Sequence, residues 1–85
     1  MTRAEIQVKV VQALAAVAPE VDSASLEPDV ALRDQVDLDS MDFLRFVIEL
    51  HNQFGLNVPE ADYQKLASLA GAVDFVAARL GAAAR

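Results

Sequence analysis

Ser40 is a hydroxyl set among carboxylates, in the run Asp37-Leu38-Asp39-Ser40-Met41-Asp42. Four chemistries compete for it. As a helix cap it is one of two candidates, because either Asp39 or Ser40 can accept a free amide at the head of the apolar-patterned run that follows. As a hydrolase nucleophile it lacks a base. The single histidine, His51, lies three turns further along the same helix, and no Gly-x-Ser-x-Gly pattern surrounds the serine. A calcium loop needs an oxygen ligand at its fifth position, glycine at its sixth and a glutamate at its twelfth, where this chain has Met41, Asp42 and Ile48. A lone histidine makes no metal site either. The fourth chemistry is covalent modification: a hydroxyl at a helix start, with a charge field to guide whatever modifies it.

The elements that must hold Ser40 are helical. Thr2-Arg3-Ala4-Glu5 has the form of a capping box, and Ile6, Val10, Ala13, Leu14 and Val17 then recur at helical spacing. Ala18-Pro19 ends this helix, since the residue before proline disfavours the helical region. Residues 19–39 form a long connection, with Leu26, Val30, Leu32, Val36 and Leu38 as its apolar pins and one short helical turn at Leu32-Arg33-Asp34-Gln35. The second long helix is predicted over 40–54, with Gly55 as its left-handed terminator.

On a helical wheel, Phe43, Phe46, Val47, Leu50 and Phe54 share a core face, with Leu44 at its edge. Asp42, Arg45, Glu49, Asn52 and Gln53 form the polar face. Met41 and Ile48 fall on neither, and two apolar residues beside a polar stripe suggest a partner contact. Val58-Pro59-Glu60 opens a short third helix with proline at its first turn, and Tyr63 and Leu66 face inward. Ser68 caps a last helix with the stripe Leu69, Ala72, Val73, Val76 and Leu80, ended by Gly81; Phe75 closes the bundle edge. The expected architecture is all-α: a small antiparallel four-helix bundle, three longer helices and one short, with a long first connection. Residues 1–85 read as one small domain, with 82–85 a frayed tail.

Composition narrows the partners. The net charge is −6, and Glu20, Asp22, Glu27, Asp29, Asp34, Asp37, Asp39 and Asp42 fall in one stretch whose single base is Arg33. Such a surface repels nucleic acid and anionic membrane and attracts basic protein faces. No signal peptide and no apolar run approaching ~18 residues is present, so the expected location is cytoplasmic. The chain has no cysteine, so any thioester chemistry needs a thiol added later.

The Asp39-Ser40-Met41 segment resembles the Asp-Ser-Leu/Met motif of acyl carrier proteins. The resemblance extends to Leu32-Arg33-Asp34, to Phe54-Gly55-Leu56-Asn57-Val58-Pro59-Glu60 and to Ala72-Val73-Asp74-Phe75-Val76, in family order, and so covers essentially the whole chain. It implies that a phosphopantetheinyl transferase with Mg²⁺ attaches 4′-phosphopantetheine from coenzyme A to Ser40, with Asp39 as the motif aspartate. Acyl groups then ride on the arm as thioesters, and the carrier itself is not an enzyme.

By the same resemblance, Met41, Asp42, Leu44, Arg45, Ile48 and Glu49 form the partner face, and Phe43, Phe46, Val47 and Leu50 line an acyl pocket that the bulky Phe43 and Phe46 shorten or block. Acyl ligases, synthases or acyltransferases with basic docking faces are the expected partners of a monomer. The pathway is fatty acid synthesis or a specialised lipid or polyketide-type route. Arg45, His51, Asn52 and Gln53 make the helix after the serine less acidic than the fatty-acid pattern, so a dedicated carrier for one pathway fits at least as well as a general fatty acid carrier. The alternatives are a free-standing aminoacyl or peptidyl carrier, and an unmodified helical interaction module.

Overall fold

The capping box at the start of the chain forms. In the computed structural model, which describes residues 2–81, the Thr2 hydroxyl accepts the Glu5 amide at 3.2 Å and the Glu5 carboxylate accepts the Thr2 amide at 2.7 Å. Helix α1 runs over Arg3–Val17 and buries Ile6, Val10, Ala13 and Leu14. The tail at 82–85 lies outside the described residues.

The long connection is organised by side chains that pair with backbone. Asp22 accepts the Ala24 amide at 3.1 Å and the Ser25 hydroxyl at 2.9 Å, closing a 3-10 turn at Ser23–Ser25. The single-turn helix α2, Leu32–Gln35, forms where the sequence suggested. Its last residue acts as a staple: the Gln35 amide donates to the carbonyls of Glu27 and Val30, at 2.8 and 2.9 Å, and accepts the Glu27 amide at 2.6 Å. Leu32, Val36 and Leu38 are buried, Leu26 is partly buried against the core, and Val30 stays half-exposed. Two backbone bonds then tie this connection to the far end of the chain. The Leu32 amide donates to the Ala67 carbonyl at 2.7 Å and the Ala70 amide to the Pro28 carbonyl at 3.0 Å, around a lone antiparallel bridge between Ala31 and Ser68.

Helix α3, Ser40–Phe54, ends at Gly55 with φ 66°, a left-handed conformation that glycine adopts without a Cβ clash. The expected third helix is instead a 3-10 helix, Glu60–Leu66, and Pro59 precedes it as the cap residue. Residues three apart eclipse one another in such a helix, and Tyr63 and Leu66 face inward from it, Leu66 buried and Tyr63 partly so. Helix α4, Leu69–Leu80, starts where the Ser68 hydroxyl accepts the Gly71 amide at 3.0 Å. Phe75 is buried, with the Arg79 guanidinium 4.9 Å from its ring centre. Arg79 also pairs with Asp62 at 3.2 Å, holding the 3-10 helix to α4.

The bundle is all-α. Helix α1 packs on both α3 and α4, and the 3-10 helix packs on α4. The core runs through Ile6, Leu14, Leu32, Phe46, Leu50, Leu66 and Val76. No helix among the described residues is long and apolar enough to cross a membrane.

Candidate functional site

The head of α3 is capped by two aspartates that serve each other. Asp39 sits in extended backbone, φ −91° and ψ −177°. Its carboxylate accepts the Asp42 amide at 2.8 Å, and the Asp42 carboxylate accepts the Asp39 amide at 3.3 Å. Of the two cap candidates, Asp39 is therefore the cap. Ser40 is the first helical residue, exposed, and its hydroxyl takes no part in the capping box. His51 is exposed at the opposite end of α3, where its Nδ1 lies 2.8 Å from the Leu56 carbonyl oxygen. Among the described residues no cluster of three or more acidic, histidine or cysteine side chains is grouped to hold a metal ion.

Ser40 stands at the edge of a groove of about 660 Å³, within the range that encloses small-molecule ligands. Leu32 and Leu38 of the first connection, Phe43 of α3 and Tyr63 of the 3-10 helix give it an apolar wall, and Arg33 and Glu60 are also on its lining. The expected pocket residues divide here. Phe43 lines the groove; Phe46, Val47 and Leu50 do not, because they are buried within the core cluster that includes Ile6 and Leu14. Leu32, Leu38 and Tyr63 come from other elements, so a wheel drawn for α3 alone does not find them.

The outward side of α3 carries an exposed apolar row. Met41 is 64% exposed, Ile48 50% and Leu44 39%. Arg45 is exposed beside them, and Asp42 and Glu49 are partly exposed. Asp42 thus has a structural duty in the cap as well as a charge facing solvent, which the sequence did not reveal.

A family model described as a phosphopantetheine attachment site matches residues 9–76. The acyl carrier protein of Rubrobacter xylanophilus is 32% identical over 89% of this chain and 93% of its own length. The chain belongs to the acyl carrier protein family. Another relative, the acyl carrier protein of Chlorobium phaeovibrioides, is 29% identical over 89% of this chain and 96% of its own. Among solved structures, the thermally stable acyl carrier protein from Enterococcus faecalis matches with a TM-score of 0.75 at 26% identity, over 92% of this chain and 98% of its own.

As a member of the family the protein is a carrier and not a catalyst, and its cofactor is covalently attached 4′-phosphopantetheine. Acyl carrier proteins deal with a phosphopantetheinyl transferase and with synthases or acyltransferases. The head of α3 fits such a group: it offers an exposed serine whose hydroxyl is not part of the cap, and an adjoining groove with apolar walls.

Proposed function

We propose that the Ser40 hydroxyl is the attachment point of 4′-phosphopantetheine and that the chain carries acyl groups there as thioesters. One observation carries the reading. Asp39 and Asp42 complete the helix cap between them, so the hydroxyl between them is exposed and free to be the nucleophile that a transferase uses. The arm supplies the thiol that the cysteine-free chain lacks.

The chain's own residues do the rest. Arg33, on the groove lining with Ser40, is the cation available to the phosphodiester. Asp39, Asp42 and Glu49 orient the approach of enzymes with basic docking faces, an effect mainly on association rate and specificity. Met41, Leu44 and Ile48 provide a small apolar anchor. An interface of that size releases quickly, which suits a carrier that visits several enzymes as a monomer. Arg45, His51 and Asn52 are exposed on α3. They dilute its negative field and favour a carrier dedicated to one pathway over a general fatty acid carrier.

Trypsin tests the assignment directly. Cleavage after Arg33 and Arg45 frees residues 34–45, in which Ser40 is the sole hydroxyl. After treatment with coenzyme A and a transferase, tandem mass spectrometry should find the phosphopantetheine on this peptide. Its appearance on any other peptide would contradict the proposal.

A further inference from the structure

One ridge runs down the outward side of α3. Met41, Arg45, Ile48 and Asn52 follow one another at spacings of four, three and four residues, and all of them are exposed. Residues so spaced stack on one helical face. Arg45 is the charged member of the ridge, about one turn from Met41 on one side and from Ile48 on the other. Met41 and Ile48 are themselves about 10 Å apart along the axis. Any partner that covers both apolar side chains therefore also covers Arg45, at the middle of the contact and not at its rim.

The fold gives Arg45 no counter-ion. Asp42, three residues before it, is tied to the helix head, where its carboxylate accepts the Asp39 amide. Glu49 follows Arg45 by four residues, in the order of base before acid that pairs less well on a helix. The ion pairs among the described residues are Arg3–Asp74, Lys65–Asp62 and Arg79–Asp62, so neither carboxylate takes the Arg45 guanidinium. An arginine keeps its charge when water is removed from it. A partner that covers this one must replace the water with a counter-charge or bind less tightly.

We propose that Arg45 selects this carrier's enzymes: it requires a docking face that is basic around its edge and carries a carboxylate at its centre, and it disfavours faces that are basic throughout. The proposal rests on α3 being the docking face. Asp39, Asp42 and Glu49 beside the ridge, in a chain of net charge −6, call for the basic surround. Arg45 calls for a single acid within it, and its planar guanidinium can take a carboxylate through two parallel hydrogen bonds. A uniformly basic face instead presses a like charge against Arg45 where water is excluded, and such juxtaposition suppresses wrong partners.

The test uses the full chain and a phosphopantetheinyl transferase chosen because its docking surface carries lysine and arginine and no carboxylate. Steady-state kcat and KM for loading from coenzyme A are measured at low and high salt for wild type, Arg45→Gln, Arg45→Glu and Gln12→Glu. Gln12 is exposed on α1, so Gln12→Glu alters the net charge as much as Arg45→Gln does, on a different helix. The expected result is a kcat/KM raised about threefold by Arg45→Gln and about tenfold by Arg45→Glu, carried by KM and fading as salt screens the charges. Gln12→Glu should change it by less than about twofold. Each base on the transferase surface is then reversed to glutamate in turn. One such reversal should speed loading of the wild-type chain and slow that of Arg45→Glu.

An Arg45→Glu chain loaded no faster than wild type would overturn the proposal. So would a gain from Gln12→Glu equal to that from Arg45→Gln, because the effect would then belong to net charge alone. A reversal series in which no glutamate speeds loading of the wild-type chain would overturn it as well, and this arm decides the matter even where an Arg45 variant fails to fold. Absence of loading in wild type and every variant, beside a control carrier that is loaded, overturns the Ser40 reading; loading indifferent to Arg45 overturns only its role in selection.

Discussion

Asp39 and Asp42 hold each other's backbone amides, at 2.8 and 3.3 Å, and Ser40 sits between them with its hydroxyl outside the capping box. The relationship separates two duties that the bare motif merges. The aspartates build the helix head and carry its charge; the serine is left for chemistry.

That separation predicts different outcomes for two substitutions at one position. Asp39→Asn keeps a good cap and removes the charge, so its urea unfolding free energy should stay within about 0.5 kcal/mol of wild type. Its loading by a transferase should slow several-fold at low salt, with the deficit shrinking as salt screens the field. Asp39→Ala should also lose about 1 kcal/mol of stability. Equal stability in the two variants would contradict the cap assignment.

The apolar row on α3 gives a second prediction. Met41→Ala and Ile48→Ala remove side chains that are more exposed than buried, so stability should change by no more than about 0.5 kcal/mol. If a transferase covers these side chains, each truncation removes roughly 1 kcal/mol of interface burial and lowers kcat/KM for the carrier about fivefold. Unchanged steady-state kinetics in both variants would place the docking surface elsewhere.

Gly71 should reverse the usual helix rule. Replacing a helical glycine by alanine commonly gains about 1 kcal/mol. Here a Cβ would collide with the backbone carbonyl oxygen of Lys65, at the junction of the 3-10 helix and α4. Gly71→Ala should therefore destabilise by about 1–3 kcal/mol, read from the shift in urea midpoint. A stabilised variant would show that this junction yields easily.

Acid should weaken the start of α1. Hydrogen bonds from Thr2, first its backbone amide and then its side chain, hold the Glu5 carboxyl below its ordinary value. A carboxyl with a lowered folded-state pKa contributes stability above its unfolded value and loses it as pH falls through the folded one. Glu5→Gln retains an acceptor but does not titrate. The stability gap between wild type and this variant should narrow as pH is lowered through the carboxylate range. A gap independent of pH would contradict the linkage.

Local signals were the legible ones. The Thr2–Glu5 box, the terminator Gly55, the Ser68 cap and the stripe of α1 each depend on residues within a few positions of one another, and all formed as their spacing suggested. The sequence left the α3 cap open between Asp39 and Ser40, because both residue types accept amides and only the observed carboxylate contacts distinguish them.

What stayed hidden is long-range. Gln35 looks like an ordinary polar residue until its amide is seen spanning back to Glu27. A short helix after Pro59 was legible, but its 3-10 form over Glu60–Leu66 was not, and the backbone bond from Leu32 to Ala67 depends on a partner far along the chain. The groove was missed for the same reason. Its wall combines Leu32, Leu38 and Tyr63 with Phe43, while the wheel could rank only the residues of α3.

The most direct measurement is the intact mass of the wild-type chain and Ser40→Ala after incubation with coenzyme A, Mg²⁺ and a broad-specificity phosphopantetheinyl transferase, with circular dichroism on both. The account predicts a gain of one phosphopantetheine in the wild type, none in Ser40→Ala, and helical spectra that coincide because Asp39 keeps the cap. A phosphopantetheine gained by Ser40→Ala, or a wild type left unmodified beside a control carrier that is loaded, would contradict it.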